Sequence, residues 1–138
     1  MDRREMLAGM GAAAVFAAAK AEGEMVDADT VYELRVYHLN EGKLPLILDR
    51  FKTKETAIFA RLGMHGMGYW TPTEGDLKGK TLIYMLRHKS REAARDSWAK
   101  FKVDPEWVAL KAETEKDGVF VAKSESTFLK LTEFSPKV

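Results

Sequence analysis

Three polar side chains share one face of a short alternating segment, Val31-Tyr-Glu-Leu-Arg-Val-Tyr-His-Leu39: Glu33, Arg35 and Tyr37. At a spacing of two in a β-strand they point the same way. A guanidinium beside a phenol can grip a small carboxylate, with Tyr37 as hydrogen-bond or proton donor. An ion-pair network that fixes the register of a dimer is the commoner use of such residues. Arg87, on a neighbouring strand, is expected to join them, and Lys123 or Glu125 to approach from the other side.

The second set is histidine. His65 opens one predicted strand and His88 ends the next. In an antiparallel hairpin these two positions lie at the same end, close enough to share an ion. His38, at the end of the first strand, belongs at the opposite end. Two neighbouring ligands fall short of the three or four that a stable metal site uses, and no H-x-x-H or H-E-x-x-H spacing exists. No metal is therefore expected. A single His near an apolar cavity could serve as a haem ligand or a general base.

The third set is aromatic. Tyr69 and Trp70 stand next to each other in "GMHGMGYWTPTEG", so on a strand they face opposite sides of the sheet. One belongs with the helices and the other with a barrel interior, near Met67 or Met85. Large rings mostly fill cores and interfaces, and Trp98 and Trp107 read as core on helix faces. No nucleophile elbow, phosphate loop, dinucleotide fingerprint or paired-carboxylate motif is present. The absence of cysteine rules out thiolate chemistry, disulfides and Cys-ligated zinc or iron–sulfur centres.

The elements that must hold these residues follow from pattern. The 138 residues suit one domain. Residues 31–39 form a strand, and Asn40-Glu41-Gly42 turns the chain. Leu44 to Leu62 keeps helical spacing, with Pro45 in the first turn and Gly63 as C-terminal cap. Strand two runs from about Met64 to Thr71, and residues 72–79 form a hairpin loop. Strand three, "KTLIYMLRH", is apolar on both faces. Ser90 caps a helix carrying Ala93, Ala94, Trp98 and Phe101; Asp104-Pro105-Glu106 starts another that ends at Gly118. Strand four spans about Val119 to Leu129, and Phe134 to Val138 is a tail.

The order β-α-β-β-α(α)-β is the α+β, ferredoxin-like pattern, an antiparallel sheet with helices on one face. A sheet with helices on one face leaves the other bare, yet strand three is apolar there too. A second copy, sheet against sheet, covers it most simply. A homodimeric α/β barrel is therefore expected, with Glu33, Arg35 and Tyr37 turned toward the partner.

The N-terminus reads as an address. "MDRREMLAGMGAAAVFAAAKAEGE" has Arg3-Arg4, an Ala-rich apolar core and an A-x-A-like ending. It resembles a twin-arginine export signal, with Asp2, Met6 and Ala8 departing from the usual motif. Residues 1–21 are expected to be cleaved, 22–30 to form a linker, and 31–138 the domain, in the periplasm or outside the cell. Cleavage removes three of 22 basic and two of 21 acidic residues, leaving a neutral chain. A neutral surface without a basic stripe argues against nucleic acid and against electrostatic membrane binding as main partners.

"YELRVYHL", "EGKLP", "GYWTPTEG", "LIYML", "SREAARDSW", "DPEW" and "ESTFL", in this order and spacing, resemble the NIPSNAP family over roughly residues 31–136. The resemblance implies a fold of the dimeric α/β-barrel superfamily, which also holds cofactor-free monooxygenases and haem-degrading enzymes. The expected role is binding of a small apolar or carboxylated ligand, or of a protein partner, without a cofactor. The alternative is a cofactor-independent monooxygenase or a haem-binding relative. The family's mitochondrial roles do not transfer to an exported chain, and fold alone does not fix function.

Overall fold

The computed structural model describes residues 26–138; the proposed export segment, with Arg3 and Arg4, lies outside them. The elements are β1 (Val31–Leu39), α1 (Leu44–Arg50), a π-helical turn (Phe51–Glu55), α2 (Thr56–Arg61), β2 (His65–Trp70), β3 (Thr81–His88), α3 (Arg91–Val103), α4 (Pro105–Thr114) and β4 (Val121–Leu129). The strands form one sheet in the order β2-β3-β1-β4, and every neighbouring pair is antiparallel. This is the ferredoxin-like α+β arrangement.

Local chemistry explains the boundaries. Gly42 and Gly63 adopt φ of 79° and 90°, the left-handed geometry that closes a turn and a helix. The Ser90 hydroxyl accepts from Ala93 N at 3.0 Å, and Asp104 accepts from Trp107 N at 3.1 Å, so both predicted caps form. Asp104 also takes a bidentate pair of hydrogen bonds from Arg61, at 2.9 and 2.8 Å, tying α2 to the start of α4. Helix α4 stops at Thr114, four residues short of Gly118, with a turn between.

The first helix is interrupted. At Phe51–Glu55 the ladder widens to a π turn, and both the backbone N–H and the hydroxyl of Thr56 bond to the Phe51 carbonyl. Phe51, Glu55, Ile58 and Phe59 all turn inward, where each is buried. These side chains join Tyr37, Leu39, Leu82, Tyr84, Leu86 and Phe101 in a single core between sheet and helices.

The sheet faces the opposite way from the expectation. Glu33 and Tyr37 are buried against the helices, with Arg35 half-buried beside them. Alternation divides a strand into two faces, but it does not say which face the helices cover. Charged residues ordinarily mark the wet face; here Glu33 is buried because four donors satisfy its carboxylate. The uncovered face instead carries half-buried Leu34, Val36, Ile83 and Met85, and Trp70, which is 52% exposed. Tyr32 lies on that face but is covered by the chain's own end, its phenol donating to the Val138 carbonyl.

Candidate functional site

Register across the sheet decides which predicted residues meet. Arg35 stands opposite Tyr84 on β3 and Ser126 on β4, and Tyr37 opposite Leu82 and Ser124. Arg87 pairs with Tyr32 and with His65, so it lies on the uncovered face and does not join Glu33, Arg35 and Tyr37. Lys123 and Glu125 also lie on that face, where Glu125 meets His38 at 3.3 Å and Lys123 at 3.5 Å. Ser126 takes the place expected for them and donates to Glu33 at 2.7 Å.

Glu33 organises the first half of the cluster. Its Oε1 accepts from His88 Nε2 and Trp98 Nε1, both at 2.8 Å; its Oε2 accepts from Arg35 Nη1 and Ser126 Oγ, both at 2.7 Å. Burial raises the carboxyl's pKa, but the bonds from His88, Ser126, Trp98 and Arg35 outweigh it and bring the value down to about 2. Glu33 is thus an anion that anchors Arg35.

Arg35 continues the network. Its guanidinium lies 4.3 Å from the Trp98 ring centroid. Its Nε donates to the Tyr84 hydroxyl at 3.1 Å, Tyr84 donates to Tyr37 at 2.8 Å, and Arg35 Nη2 reaches Tyr37 at 3.3 Å. Burial pushes the Tyr84 phenol well above its usual range, so it remains protonated. A guanidinium has five N–H bonds, and three are used among the described residues. With Tyr84 donating to it, the Tyr37 hydroxyl keeps its own hydrogen free.

The second half comes from the helices. Arg50 donates to Glu55 Oε1 at 2.8 Å, to Glu115 at 2.7 Å and to Thr114 at 3.0 Å. Its guanidinium stacks 4.8 Å from the Trp107 centroid and 4.6 Å from that of Phe120. Glu55 is 2% exposed. Burial pushes its carboxyl up to about 7, against the pull of Arg50, and Glu115 adds to the rise. Glu55 Oε2 accepts no hydrogen bond among the described residues.

Both halves line one cavity of about 210 Å³, walled by Arg35, Tyr37, Arg50, Glu55, Phe101 and Trp107. Exposed Lys111 and Val119 also line it and form its mouth. It offers unspent donors, one buried acceptor and an aromatic wall, the mixture that small-molecule sites use. Arg50, Glu55 and Glu115 were not singled out in the sequence. The available signal was position: Glu55 follows Phe51 by four and precedes Ile58 by three, so a carboxylate sits within the apolar stripe.

The remaining candidates divide by parity. Tyr69 stands opposite Tyr84 on the helix side, its ring stacked on Tyr84 at 5.7 Å and edge-on to Phe51 at 5.9 Å. Trp70 takes the uncovered face. Gly66 and Gly68 leave the space that the rings of Tyr69 and Trp70 occupy. His65 and His88 lie at the same end of the sheet but on opposite faces; His65 is exposed, while His88 is buried on Glu33. A larger, more open cleft of about 360 Å³ touches both, with Arg87 and Lys89. Among the described residues no three His, Cys, Asp or Glu converge as metal ligands, and no helix is long and apolar enough to cross a membrane.

Among curated proteins none matches the chain. Solved structures do. A NIPSNAP-like domain protein from Burkholderia xenovorans is similar with a TM-score of 0.69 at 18% identity, covering 80% of this chain and 91% of that one. A NIPSNAP family protein from Agrobacterium tumefaciens gives 0.67 at 25% identity, covering 78% and 97%. SnoaB, a cofactor-independent oxygenase from Streptomyces nogalater, gives 0.51 at 16% identity, covering 79% and 99%, a likeness of fold alone. The NIPSNAP family model itself matches residues 32–136, which hold all of the sheet but Val31, all the helices and every residue of the cavity, and the chain belongs to the NIPSNAP family.

Proposed function

We propose that this NIPSNAP protein binds a small molecule in the cavity between its sheet and its helices. The ligand presents an acidic or phenolic oxygen to Arg35 and Tyr37 and lays an apolar body against Phe101 and Trp107. The observation that carries the reading is the set of unspent donors inside a 210 Å³ space. Arg35 is already anchored by Glu33 and Tyr84, so little ordering is needed when a ligand arrives. The larger cleft by His65 carries less weight, since its buried titratable side chain, His88, is already committed to Glu33.

The test is a panel of small carboxylates and phenols, screened by ligand-observed NMR against the wild type and Arg35→Ala. Binding to the wild type that drops at least tenfold in the variant supports the reading. Equal binding by both sinks it.

The uncovered apolar face supports a second element of the proposal, a two-fold homodimer formed sheet to sheet. The Ala-rich leader with its arginine pair supports export with removal of residues 1–21. Intact mass of protein recovered from an exporting bacterium tests this; a mature chain that retains Met1 would reject it.

A further inference from the structure

Within the cavity just proposed, every polar group but two is a donor. Arg35, Tyr37, Arg50 and Lys111 offer hydrogens. Glu115, 8% exposed, is held by Arg50 Nη1 through Oε2 at 2.7 Å, whereas Glu55, 2% exposed, lies deeper. Glu55 is held by Arg50 through Oε1 alone, which leaves Oε2 unbonded on the cavity wall. Glu55 is the last residue of the π-helical turn Phe51–Glu55, an irregularity that is frequent at functional sites.

A deeply buried carboxylate facing a bank of cationic and phenolic donors suits one kind of chemistry. A base removes a proton from carbon, and donors hold the oxygen on which the negative charge collects. We propose that Glu55 is the proton acceptor of this cavity, and that the site enolises a small 2-oxo acid. The C–H bond next to the carbonyl breaks, and its electron pair becomes the C=C bond of the enolate. The carbonyl π pair moves to oxygen, which the Tyr37 hydroxyl and the spare N–H bonds of Arg35 hold. The proton rests on Glu55 Oε2 and returns to carbon or to the enolate oxygen. The sum is proton exchange or keto–enol tautomerisation, with no electron left over and no co-reactant needed. The substrate carboxylate, adjacent to the carbonyl, shares the donors of Arg35 and Tyr37, Arg50 and Lys111 add positive charge around it, and Phe101 and Trp107 form a flat apolar wall. The space equals that of about seven liquid waters, which limits the substrate to a small acid.

The surroundings of Glu55 support this role. Arg50 faces it from α1, Glu115 and Thr114 from the end of α4, Arg35 and Tyr84 from the sheet, and Tyr69 from β2. Burial dominates that set and pushes the carboxyl to about 7, the range in which a general base is most effective at neutral pH.

The inference rests on the cavity reading, and one experiment separates the two. The full domain is mixed with 2-oxobutanoate or phenylpyruvate in D₂O. Binding is read from shifts of the Trp indole resonances and exchange from loss of the C3 proton signal. Bound acid should exchange at least ~100-fold faster than in buffer, rising with pH and levelling off above about pH 8. Glu55→Gln should still bind and lose the acceleration, and Glu55→Asp should keep part of it. Binding without accelerated exchange, or equal exchange in Glu55→Gln, overturns the role of Glu55 and leaves the cavity reading standing. No binding of either acid overturns both. Should Glu55→Gln fail to fold, the wild-type profile decides: a rate that climbs with hydroxide and never levels off overturns the proposal.

Discussion

His88 Nε2 lies 2.8 Å from Glu33 Oε1, and each of the two side chains is 1% exposed. The pair joins the outer end of β3 to the centre of the polar cluster. Glu33 holds three further donors, whereas His88 makes this one hydrogen bond. The two residues are therefore unequal. Glu33→Ala strands half-buried Arg35 and buried His88 and should cost about 3–5 kcal/mol, the usual result of removing one partner of a buried ion pair. Trp98→Phe removes one bond to the same carboxylate and should cost about 1.5–3 kcal/mol, as hydrogen bonds to charged groups do. Urea unfolding of both variants checks the order.

Acid should act through Glu33. Its pKa is lowered from 4.5 to about 2 in the fold, so the unfolded chain takes up the proton first. The stabilisation is present above about pH 4.5 and lost as pH falls through about 2. The shift corresponds to about 3 kcal/mol. Unfolding free energies measured from pH 5 down to pH 2 should show this loss in the wild type and little of it in Glu33→Gln.

Glu55 should act in the opposite sense. Its folded pKa is raised from 4.5 to about 7, so its contribution is full below about pH 4.5 and lost as pH rises through 7. Glu55→Gln should therefore remove a decline of about 3 kcal/mol between pH 5 and pH 8 and should be more stable than the wild type at pH 8. A steeper decline in the variant would contradict the assignment.

Arg50 neutralises Glu55 and Glu115 together. Arg50→Met keeps much of the stem that packs on Trp107 and Phe120 but leaves two carboxylates facing each other. The cost should be about 3–5 kcal/mol at pH 8 and clearly smaller at pH 5, where Glu55 carries a proton. Chemical denaturation at the two pH values tests the difference.

The sheet-to-sheet dimer makes its own prediction. Stable interfaces bury about 800 Å² per partner, and the uncovered face presents Leu34, Val36, Ile83, Met85 and Trp70 for this purpose. Leu34→Glu should convert a micromolar dimer into a monomer without lowering the domain's helix content. Light scattering and circular dichroism read the two properties. A monomeric wild type would end the barrel proposal.

The elements were largely legible because their signals are local. Alternation marked β1 and β3, and Ser90 and Asp104 marked helix starts through bonds reaching only three residues along the chain. The parity of Tyr69 and Trp70 was legible for the same reason. The π turn was not, since Phe51 and Glu55, four apart, share a face in a regular α-helix too and the pattern carries no mark of it.

The sequence by itself determined the strand and helix order, the caps, the pairing of β1 with β3, and the opposed faces of adjacent residues. It also carried the family resemblance that the domain match supports. Only the tertiary structure decided which face of β1 the helices cover. That choice depends on whether Glu33 finds enough donors to be buried, and three of the four come from outside β1: His88 from β3, Trp98 from α3 and Ser126 from β4. Local pattern contains no record of those encounters. Packing brought them together, placed Arg35 and Tyr37 inside the subunit, and put Glu55 across the cavity from them.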